Sequence, residues 1–285
     1  MKTIDLAAVE RIIAEVADTE IMPRFRKLAE GDVEMKGVDD PVTVADKAAE
    51  EALTRRLKEI LPDGVVVGEE SFAKDPAIIS HFGGDKDVWV IDPIDGTRNF
   101  INGNPEFGVM IALVHQKKTV ASWIHDPNTK DTLMAEEGGG VWLRGHKMHL
   151  AGHDAEIPKL GLIGTRFKKM LSQAELESLL NNLPKLFAGS AAAFDYGRLF
   201  MGGNITFANS AAARASYLLY RKSKPWDHLP GLFMVKEAGG YAAAPDGEPY
   251  NMEKGQKGLM VTPDEASWQR YSGGFNRALD SLIAD

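Results

Sequence analysis

The chain of 285 residues is 44% hydrophobic and 26% charged, proportions that are ordinary for a soluble globular protein with a sizeable core. Its formal net charge of -8 argues against non-specific binding to nucleic acid or to an anionic membrane, because both favour basic surfaces. The absence of cysteine excludes disulfides and thiolate zinc sites, and no apolar run approaches the roughly 20 residues that span a bilayer, so we expect a cytoplasmic protein.

The first half of the chain, residues 1–150, predicts helices packed on a largely antiparallel sheet. Apolar residues recur at helical spacing from Leu6 to about Glu30, and a second amphipathic helix ends before Pro62. Residues 31–41 between these helices are polar and rich in turn-forming residues. Short β-rich runs follow at Val65–Val67, Val88–Ile91, Gly108–Val114, Val120–Ile124, Thr132–Ala135 and Val141–Leu143.

The second half, residues 151–285, predicts an α/β arrangement with a mixed sheet. A polar stretch at residues 151–159 marks the boundary between the halves. Predicted strands lie at Leu160–Gly164, Ile205–Ala208, Gly240–Ala244 and Gly258–Thr262. They alternate with predicted helices near Ser172–Asn182, Ala192–Met201, Leu229–Ala238 and Asp264–Ile283.

Acidic residues stand at the ends of apolar segments in three places. They are Glu69 with Glu70 after the first predicted strand, Asp92 with Asp95 after the second, and Asp227 before an apolar helix. Carboxylates at strand ends converge on one point if the strands are neighbours in a sheet. Hard oxygen ligands without sulfur suit Mg²⁺ or Mn²⁺ rather than zinc. Two such ions about 3.5–4 Å apart can generate an attacking hydroxide and stabilise the leaving oxygen.

The segment from Asp92 to Thr97 combines candidate metal ligands with a candidate anion site. An uncompensated charge beside a buried strand is costly, so we interpret Asp92 and Asp95 as metal ligands rather than solvated surface charges. The Ile94 carbonyl can bind the same metal. Gly96 and Thr97 open a predicted turn or helix whose free N–H groups can bind phosphate oxygens. The Thr97 hydroxyl can cap that helix, orient a nucleophilic water, or do both.

Three other features have both a structural and a functional interpretation. Asp46 fits a capping box that begins at Thr43, and it can also hold a third, weaker metal or its water. His228 is a candidate general base, but we favour neutral packing at a helix N-terminus. The turn at Gly189 and Ser190 is a candidate contact to an anion or a hydroxyl group.

Together these residues resemble the inositol monophosphatase superfamily of lithium-sensitive, Mg²⁺-dependent phosphomonoesterases. The matching motifs are Gly68-Glu69-Glu70-Ser71, Asp92-Pro93-Ile94-Asp95-Gly96-Thr97 with Asn99-Phe100, and Trp226-Asp227 followed by Glu237-Ala238-Gly239-Gly240. Their order and spacing fit, and the resemblance covers nearly the whole chain. It implies an α/β fold built as an alternating αβαβα layered sandwich, and it implies a homodimer.

The resemblance also implies a role for each matched residue. Two or three Mg²⁺ ions are expected, with Mn²⁺ as a possible substitute. The implied sites are Glu69, Asp92 and the Ile94 carbonyl for the first ion, Asp92, Asp95 and Asp227 for the second, and Glu69 with its waters for the third. The implied catalytic residues are Thr97, Glu70 and Asp46, with Thr97 helping to activate the attacking water. The N–H groups of Gly96 and Thr97 are expected to hold the phosphate.

One position departs from the inositol-specific members of this superfamily. Those members carry a glutamate seven residues before the final metal-binding aspartate, where it binds inositol hydroxyls. Here that position is Tyr220, an aromatic residue with basic neighbours, which suits a flatter or more anionic substrate than inositol phosphate. Gly189, Ser190 and Tyr220 are our candidate substrate contacts. We thus expect the N-terminal half to carry most of the metal ligands, and the C-terminal half to carry the last ligand and the elements that select the substrate.

We expect Mg²⁺-dependent hydrolysis of a small phosphate monoester. Alternatives of the same class are a 3′(2′),5′-bisphosphate nucleotidase, a fructose-1,6-bisphosphatase and a histidinol-phosphatase. An alternative of a different class is a regulatory protein that binds a macromolecular partner on the same fold. A pure metal-binding protein is a further alternative, but it would not need the anion site at Gly96 and Thr97.

Overall fold

A computed structural model of the chain describes residues 4–153, 160–180, 185–202, 205–207, 214–244, 246–253 and 256–281. Its first layer contains α1 (Leu6–Val16) and α2 (Val44–Ile60). The prediction of one helix up to Glu30 was wrong. A π-helical turn at Ala17–Ile21 follows α1, and turns follow it because Pro23 lacks the N–H that a helix interior requires.

Residues 31–41, which the sequence predicts as a turn-rich segment, instead contribute to a β-hairpin. It consists of β1 (Val33–Gly37) and β2 (Asp40–Thr43), paired antiparallel with an irregularity between Met35 and Gly37. The two strands are short, mostly exposed and rich in Glu, Lys, Gly, Asp and Pro, which are uncommon in strands, so the segment resembles a turn. The hairpin leads directly into α2.

The second layer is a nine-stranded sheet with the order β13-β12-β9-β8-β7-β6-β5-β4-β3. All its pairs are antiparallel except β3 with β4. Its strands are β3 (Val65–Gly68), β4 (Val88–Asp95), β5 (Gly108–His115), β6 (Lys118–Asp126), β7 (Asp131–Glu136), β8 (Gly140–Leu143), β9 (His146–Leu150), β12 (Phe200–Gly202) and β13 (Ile205–Thr206). The six strands predicted in the first half are confirmed, and β9 was not predicted.

The third layer contains α7 (Ala192–Gly197) and α8 (Pro225–Glu237), which pack between two sheets. The fourth layer is a five-stranded sheet with the order β11-β10-β14-β16-β15. Its strands are β10 (Leu160–Ile163), β11 (Lys185–Ala188), β14 (Tyr217–Ser223), β15 (Tyr241–Ala243) and β16 (Gln256–Thr262). On its outer face α9 (Glu265–Ser281) buries Trp268 and Phe275 against Tyr217 and Met260. These layers form the αβαβα sandwich.

Several boundaries in the second half differ from the predictions. The helix predicted at Ala192–Met201 ends at Gly197, because Phe200–Gly202 pairs with β9 as a strand. The strands β11 and β14 were not predicted, and neither was the short helix α5 (Thr165–Met170). The helix α6 (Gln173–Leu180) lies within the predicted helix, whereas α8 begins four residues before the predicted Leu229 and so includes Asp227. Some predicted positions lie outside the described residues. They are the end of one strand at Ala208, the ends of two helices at Asn182 and Ile283, and residues 154–159 of the boundary between the halves. Because β12 and β13 extend the first sheet, the two halves share one layer, and their division stays a prediction.

The strand β4 is buried along its whole length because helices cover both of its faces. Trp89 and Ile91 pack in the core formed with α1 and α2. Val88 and Val90 face the opposite side, where they pack against Trp226 of α8. Because side chains alternate along a strand, Asp92 lies on the same face as Val88 and Val90 and points towards α8. Among the described helices, none is long and apolar enough to cross a membrane.

Candidate active site

A β-bulge directs Asp92 and Asp95 to the same side of the sheet. Between the pairings of these two residues, β4 contains one more residue than its partner β5. Side chains three residues apart on a regular strand face opposite sides, and the extra residue cancels that alternation. Asp95 Oδ2 accepts a hydrogen bond of 2.6 Å from the N–H of Ala193 in α7. Asp92 Oδ1 accepts a hydrogen bond of 3.0 Å from the N–H of Ile94.

Carboxylates from three separate segments converge at this point. Glu69 is the first residue of α3 (Glu69–Lys74), which begins directly after β3, the parallel neighbour of β4. Asp227 lies in the first turn of α8. One carboxylate oxygen each from Glu69, Asp92 and Asp227 lie within 4.8 Å of one another. The structure therefore brings together the three acidic sites that the sequence predicts would converge, and Asp95 borders the group.

The electrostatics of this cluster favour a bound cation. Burial, together with the charges of Glu69 and Asp95, raises the pKa values of Asp92 and Asp227 well above their usual range. Burial also raises the pKa of Asp95 to about 7, although the N–H of Ala193 opposes the shift. A divalent ion among these carboxylates would offset the cost of burying them charged. Since all the donors are oxygens, the cluster can bind a hard metal ion.

Lys36, which no sequence motif marked, extends from the β1–β2 hairpin to the edge of the cluster. Its Nζ lies 2.7 Å from Glu69 Oε1 and 2.8 Å from Glu70 Oε1. Glu70 is buried, and burial raises its pKa to about 7 while the hydrogen bond from Lys36 opposes that shift. Glu70, a predicted catalytic residue, thus lies directly beside the predicted metal ligand Glu69.

Asp46 contacts both Thr43, at the start of α2, and Thr97, in the candidate site. Its Oδ2 accepts hydrogen bonds from the Thr43 N–H at 2.8 Å and the Thr43 hydroxyl at 2.5 Å, which confirms the capping box of α2. Its Oδ1 lies 3.2 Å from the hydroxyl of Thr97. The same hydroxyl lies 3.1 Å from the carbonyl oxygen of Ile94. Asp46, Thr97 and Ile94 therefore form one hydrogen-bonded group beside the carboxylates.

Gly96 makes the sharp turn between the strand β4 and α4 (Thr97–Ile101), the helix that the sequence predicts here. Its φ of +91° lies in the left-handed region that favours glycine. A Cβ at this position would also lie 2.8 Å from the side chain of Ala191. The N–H groups of Gly96 and Thr97 stand at the beginning of α4, where no helical partner exists for them. Their phosphate contact stays a prediction.

The predicted substrate contacts surround Asp195, a buried residue of α7 that belongs to none of the sequence motifs. Asp195 accepts hydrogen bonds of 3.0 Å from the Ser190 N–H and from the Tyr220 hydroxyl. A Cβ on Gly189 would lie 2.2 Å from the same carboxylate. Burial raises the pKa of Asp195 to about 6, and the Ser190 N–H and Arg198 oppose the shift. The structure therefore brings Gly189, Ser190 and Tyr220 together.

A cavity of about 520 Å³ adjoins this group. Its polar lining includes Asn99 and Ser190, whose side chains are joined by a hydrogen bond of 2.9 Å, and its apolar lining includes Phe187. Arg198 is the single cation among the described residues that line the cavity. It donates to Glu106 and lies 3.6 Å from Asp195, so its charge is already balanced.

His228 takes the packing role that we favoured over a general base. It is buried, and its Nδ1 lies 3.1 Å from the hydroxyl of Tyr196. Burial lowers the pKa of His228 to about 3, so the ring is neutral at physiological pH. The Tyr220 ring lies 4.6 Å from the His228 ring, centroid to centroid. His228 thus supports the wall that carries Tyr220.

Solved structures share this fold. An inositol monophosphatase (IMPase) from Thermotoga maritima superposes with a TM-score of 0.76 at 23% identity, over 97% of this chain and 98% of that one. Inositol monophosphatase II from Staphylococcus aureus superposes with a TM-score of 0.72 at 21% identity, over 98% and 96% of the two chains. At these identities the similarity establishes the layered fold.

Sequence relatives carry both enzymatic and regulatory names. The Nus factor SuhB of Salmonella typhimurium is 34% identical over 206 residues, 72% of each chain. Inositol monophosphatase of Dictyostelium discoideum is 30% identical over 234 residues, 81% of this chain and 82% of the relative. A sequence profile described as the inositol monophosphatase family matches residues 3–283. This chain therefore belongs to the inositol monophosphatase family.

Proposed function

We propose that this chain is a Mg²⁺-dependent phosphatase that hydrolyses a small-molecule phosphate monoester. The observation that carries the proposal is the convergence of Glu69, Asp92 and Asp227, whose oxygens lie within 4.8 Å of one another beside Asp95. When bound, divalent cations supply an activated water and stabilise negative charge on the leaving oxygen. The adjacent turn at Gly96 supplies backbone N–H groups for the phosphate, which a pure metal-binding protein would not need.

The ligand assignment is the one that the family resemblance implies, and the convergence of Glu69, Asp92 and Asp227 supports it. Glu69, Asp92 and the Ile94 carbonyl would hold one ion, and Asp92, Asp95 and Asp227 would hold a second. Glu69 would hold a third, with Glu70 and Asp46 nearby. Mg²⁺ is the proposed ion, and Mn²⁺ is a substitute with the same preference for oxygen ligands.

Thr97 and Asp46 are the proposed residues for orienting the attacking water. The Thr97 hydroxyl donates towards Asp46 Oδ1 or the Ile94 carbonyl, which leaves its oxygen lone pairs to accept a hydrogen bond from water. Glu70, held by Lys36, is a second acceptor in the same region. The N–H groups of Gly96 and Thr97 would hold the phosphate oxygens while this water attacks phosphorus in line.

The cavity beside Asp195 supports a leaving group without a second phosphate. Tyr220 replaces a polyol-binding glutamate and is itself engaged with Asp195, while Gly189 and Ser190 form the adjoining turn. A second phosphate would need an unpaired cation, and Arg198 is already paired with Glu106 and Asp195. Because no unpaired cation is found among the described residues that line the cavity, we favour a monoester over the bisphosphate alternatives, and histidinol phosphate, which carries a flat ring, is the first candidate substrate.

The test is a phosphate-release panel with Mg²⁺, each ester being assayed with and without lithium. The panel contains inositol 1-phosphate, histidinol phosphate, glycerol phosphates, fructose 1,6-bisphosphate and adenosine 3′,5′-bisphosphate. We expect Mg²⁺-dependent release from at least one monoester and slower release from both bisphosphates. Near-wild-type turnover by Asp92→Asn, with Mg²⁺ as the sole added metal, would contradict the mechanism.

A regulatory role is the second candidate, because a relative at 34% identity is named a Nus factor. The net charge of -8 makes a protein a more suitable partner than a nucleic acid. Such a role is compatible with hydrolysis, since the carboxylate cluster is complete. Homodimer formation stays a prediction of the family resemblance, and light scattering on the purified chain tests it.

A further inference from the structure

Glu50 is a buried carboxylate outside the predicted ligand set. It lies one helical turn after Asp46 on α2, so the two side chains share a face of the helix. Their relative exposures are 5% for Glu50 and 1% for Asp46. Asp46 contacts Thr97, whereas Glu50 reaches the first turn of α3, the helix that begins with Glu69.

The contacts of Glu50 are directed at the backbone of that turn. Its Oε2 accepts a hydrogen bond of 2.8 Å from the Glu70 N–H, and its Oε1 accepts one of 2.7 Å from the Ser71 N–H. The Ser71 hydroxyl donates to Oε1 as well. A Cβ on Gly68 would lie 2.4 Å from this carboxylate, so a glycine before Glu69 permits the close approach.

We propose that Glu50 is a positioning residue of the metal centre, which holds the first turn of α3 so that the Glu69 carboxylate points at Asp92 and Asp227. Because Asp46 and Glu50 belong to one rigid helix, α2 also sets the distance between that turn and Thr97. Groups that orient metal ligands typically change metal affinity by about 10–100-fold when they are lost. The proposal rests on the metal-binding part of the proposed function.

The experiment is an Mn²⁺ titration of substrate-free protein, in which electron paramagnetic resonance measures free Mn²⁺. In Glu50→Gln an NH₂ group replaces one of the two oxygens that each accept a backbone N–H, so one of these bonds is lost and we expect Mn²⁺ affinity to fall about tenfold. The matched control is Glu51→Gln, an exposed neighbour on the same helix, which should bind Mn²⁺ as the wild type does. Ser71→Ala removes the hydroxyl contact alone and should weaken Mn²⁺ binding less than Glu50→Gln does.

Circular dichroism of the metal-free proteins separates loss of folding from loss of positioning. Equal Mn²⁺ affinity in folded Glu50→Gln and Glu51→Gln would overturn the proposal. If Glu50→Gln does not fold, unchanged affinity in Ser71→Ala overturns it instead. Phosphate release is measured separately: wild-type protein that binds Mn²⁺ but hydrolyses no ester contradicts the proposed function and leaves the Glu50 proposal standing.

Discussion

The Thr97 hydroxyl lies 3.2 Å from Asp46 Oδ1, while Oδ2 of the same carboxylate caps the helix α2. One aspartate therefore fixes the start of a helix and orients a hydroxyl beside the carboxylates that are proposed to bind metal. Burial raises the pKa of Asp46 to about 6, and its hydrogen bonds from Thr43 oppose that shift. This shared use explains how a residue in a capping box can also belong to the site.

Thr97→Val should remove the hydroxyl that orients water while keeping the shape of the side chain. We expect kcat for phosphate release to fall by about 10²–10⁴-fold, the usual contribution of a positioned proton-transfer group. Thr97→Ser keeps the hydroxyl and should retain most of the activity. Mn²⁺ affinity should be unchanged in both variants, since neither alters a carboxylate. A Thr97→Val enzyme with more than a tenth of wild-type kcat would contradict this role.

Asp92→Asn should abolish activity and yet stabilise the metal-free protein. Asp92 is buried beside Glu69, Asp95 and Asp227, so neutralising it relieves repulsion among like charges. In thermal unfolding with a chelator, we expect a melting temperature above that of the wild type. Saturating Mg²⁺, at about 100 times its dissociation constant, should stabilise the wild type by about 2.7 kcal/mol and the variant much less.

The control for Asp92→Asn is Asp85→Asn, which neutralises an exposed carboxylate. It should match the wild type in both the metal-free melting temperature and the response to Mg²⁺. Equal stabilisation of Asp92→Asn and the wild type by Mg²⁺ would show that Asp92 is not a ligand.

Tyr220→Phe should change the substrate preference without changing metal binding. The substitution keeps the ring beside His228 but removes the hydroxyl that donates to Asp195. Loss of this bond releases the Asp195 carboxylate beside the cavity, so we expect kcat/KM to differ from the wild-type value. We expect that change for the best ester of the panel. Tyr241→Phe, on the outer strand β15, is the control, and equal effects of the two variants would refute the assignment.

Because of the buried His125, we expect the free energy of unfolding to fall as the pH drops below 6.5. Burial lowers its pKa from 6.5 to about 4, so the folded protein keeps the ring neutral where the unfolded chain binds a proton. Stability therefore declines as the pH falls from 6.5 towards 4. Between pH 7 and pH 5 this group should cost about 2 kcal/mol.

The measurement compares urea unfolding of the wild type and His125→Gln in chelator at pH 7 and pH 5. The wild type should lose about 2 kcal/mol more than the variant over this interval, because glutamine does not titrate. Parallel losses in the two proteins would show that His125 is not the titrating group. His125 also contacts Thr132 at 2.9 Å. This contact contributes equally to the stability at pH 7 and at pH 5, so it cancels when the two stabilities are subtracted.

Local patterns in the sequence were sufficient for six strands of the first sheet, β3 to β8, and for the start of α2. Both patterns depend on neighbours in the chain, namely a run of β-branched residues and a threonine three residues before an aspartate. The sequence patterns of the hairpin β1–β2 and of the strand β14 were too weak to predict them as strands. Their pairing depends on partners and solvent exposure rather than on their own periodicity.

The sequence by itself determined which side chains were available for a metal centre, because Glu69, Asp92, Asp95 and Asp227 each follow or precede an apolar segment. Tertiary structure alone decided how they meet. The bulge in β4 overrides the regular alternation of side chains. Contacts of Asp195 with Tyr220, and of Glu50 with the turn after Glu69, join residues far apart in the chain. Such contacts depend on the packing of separate layers, which no local pattern encodes.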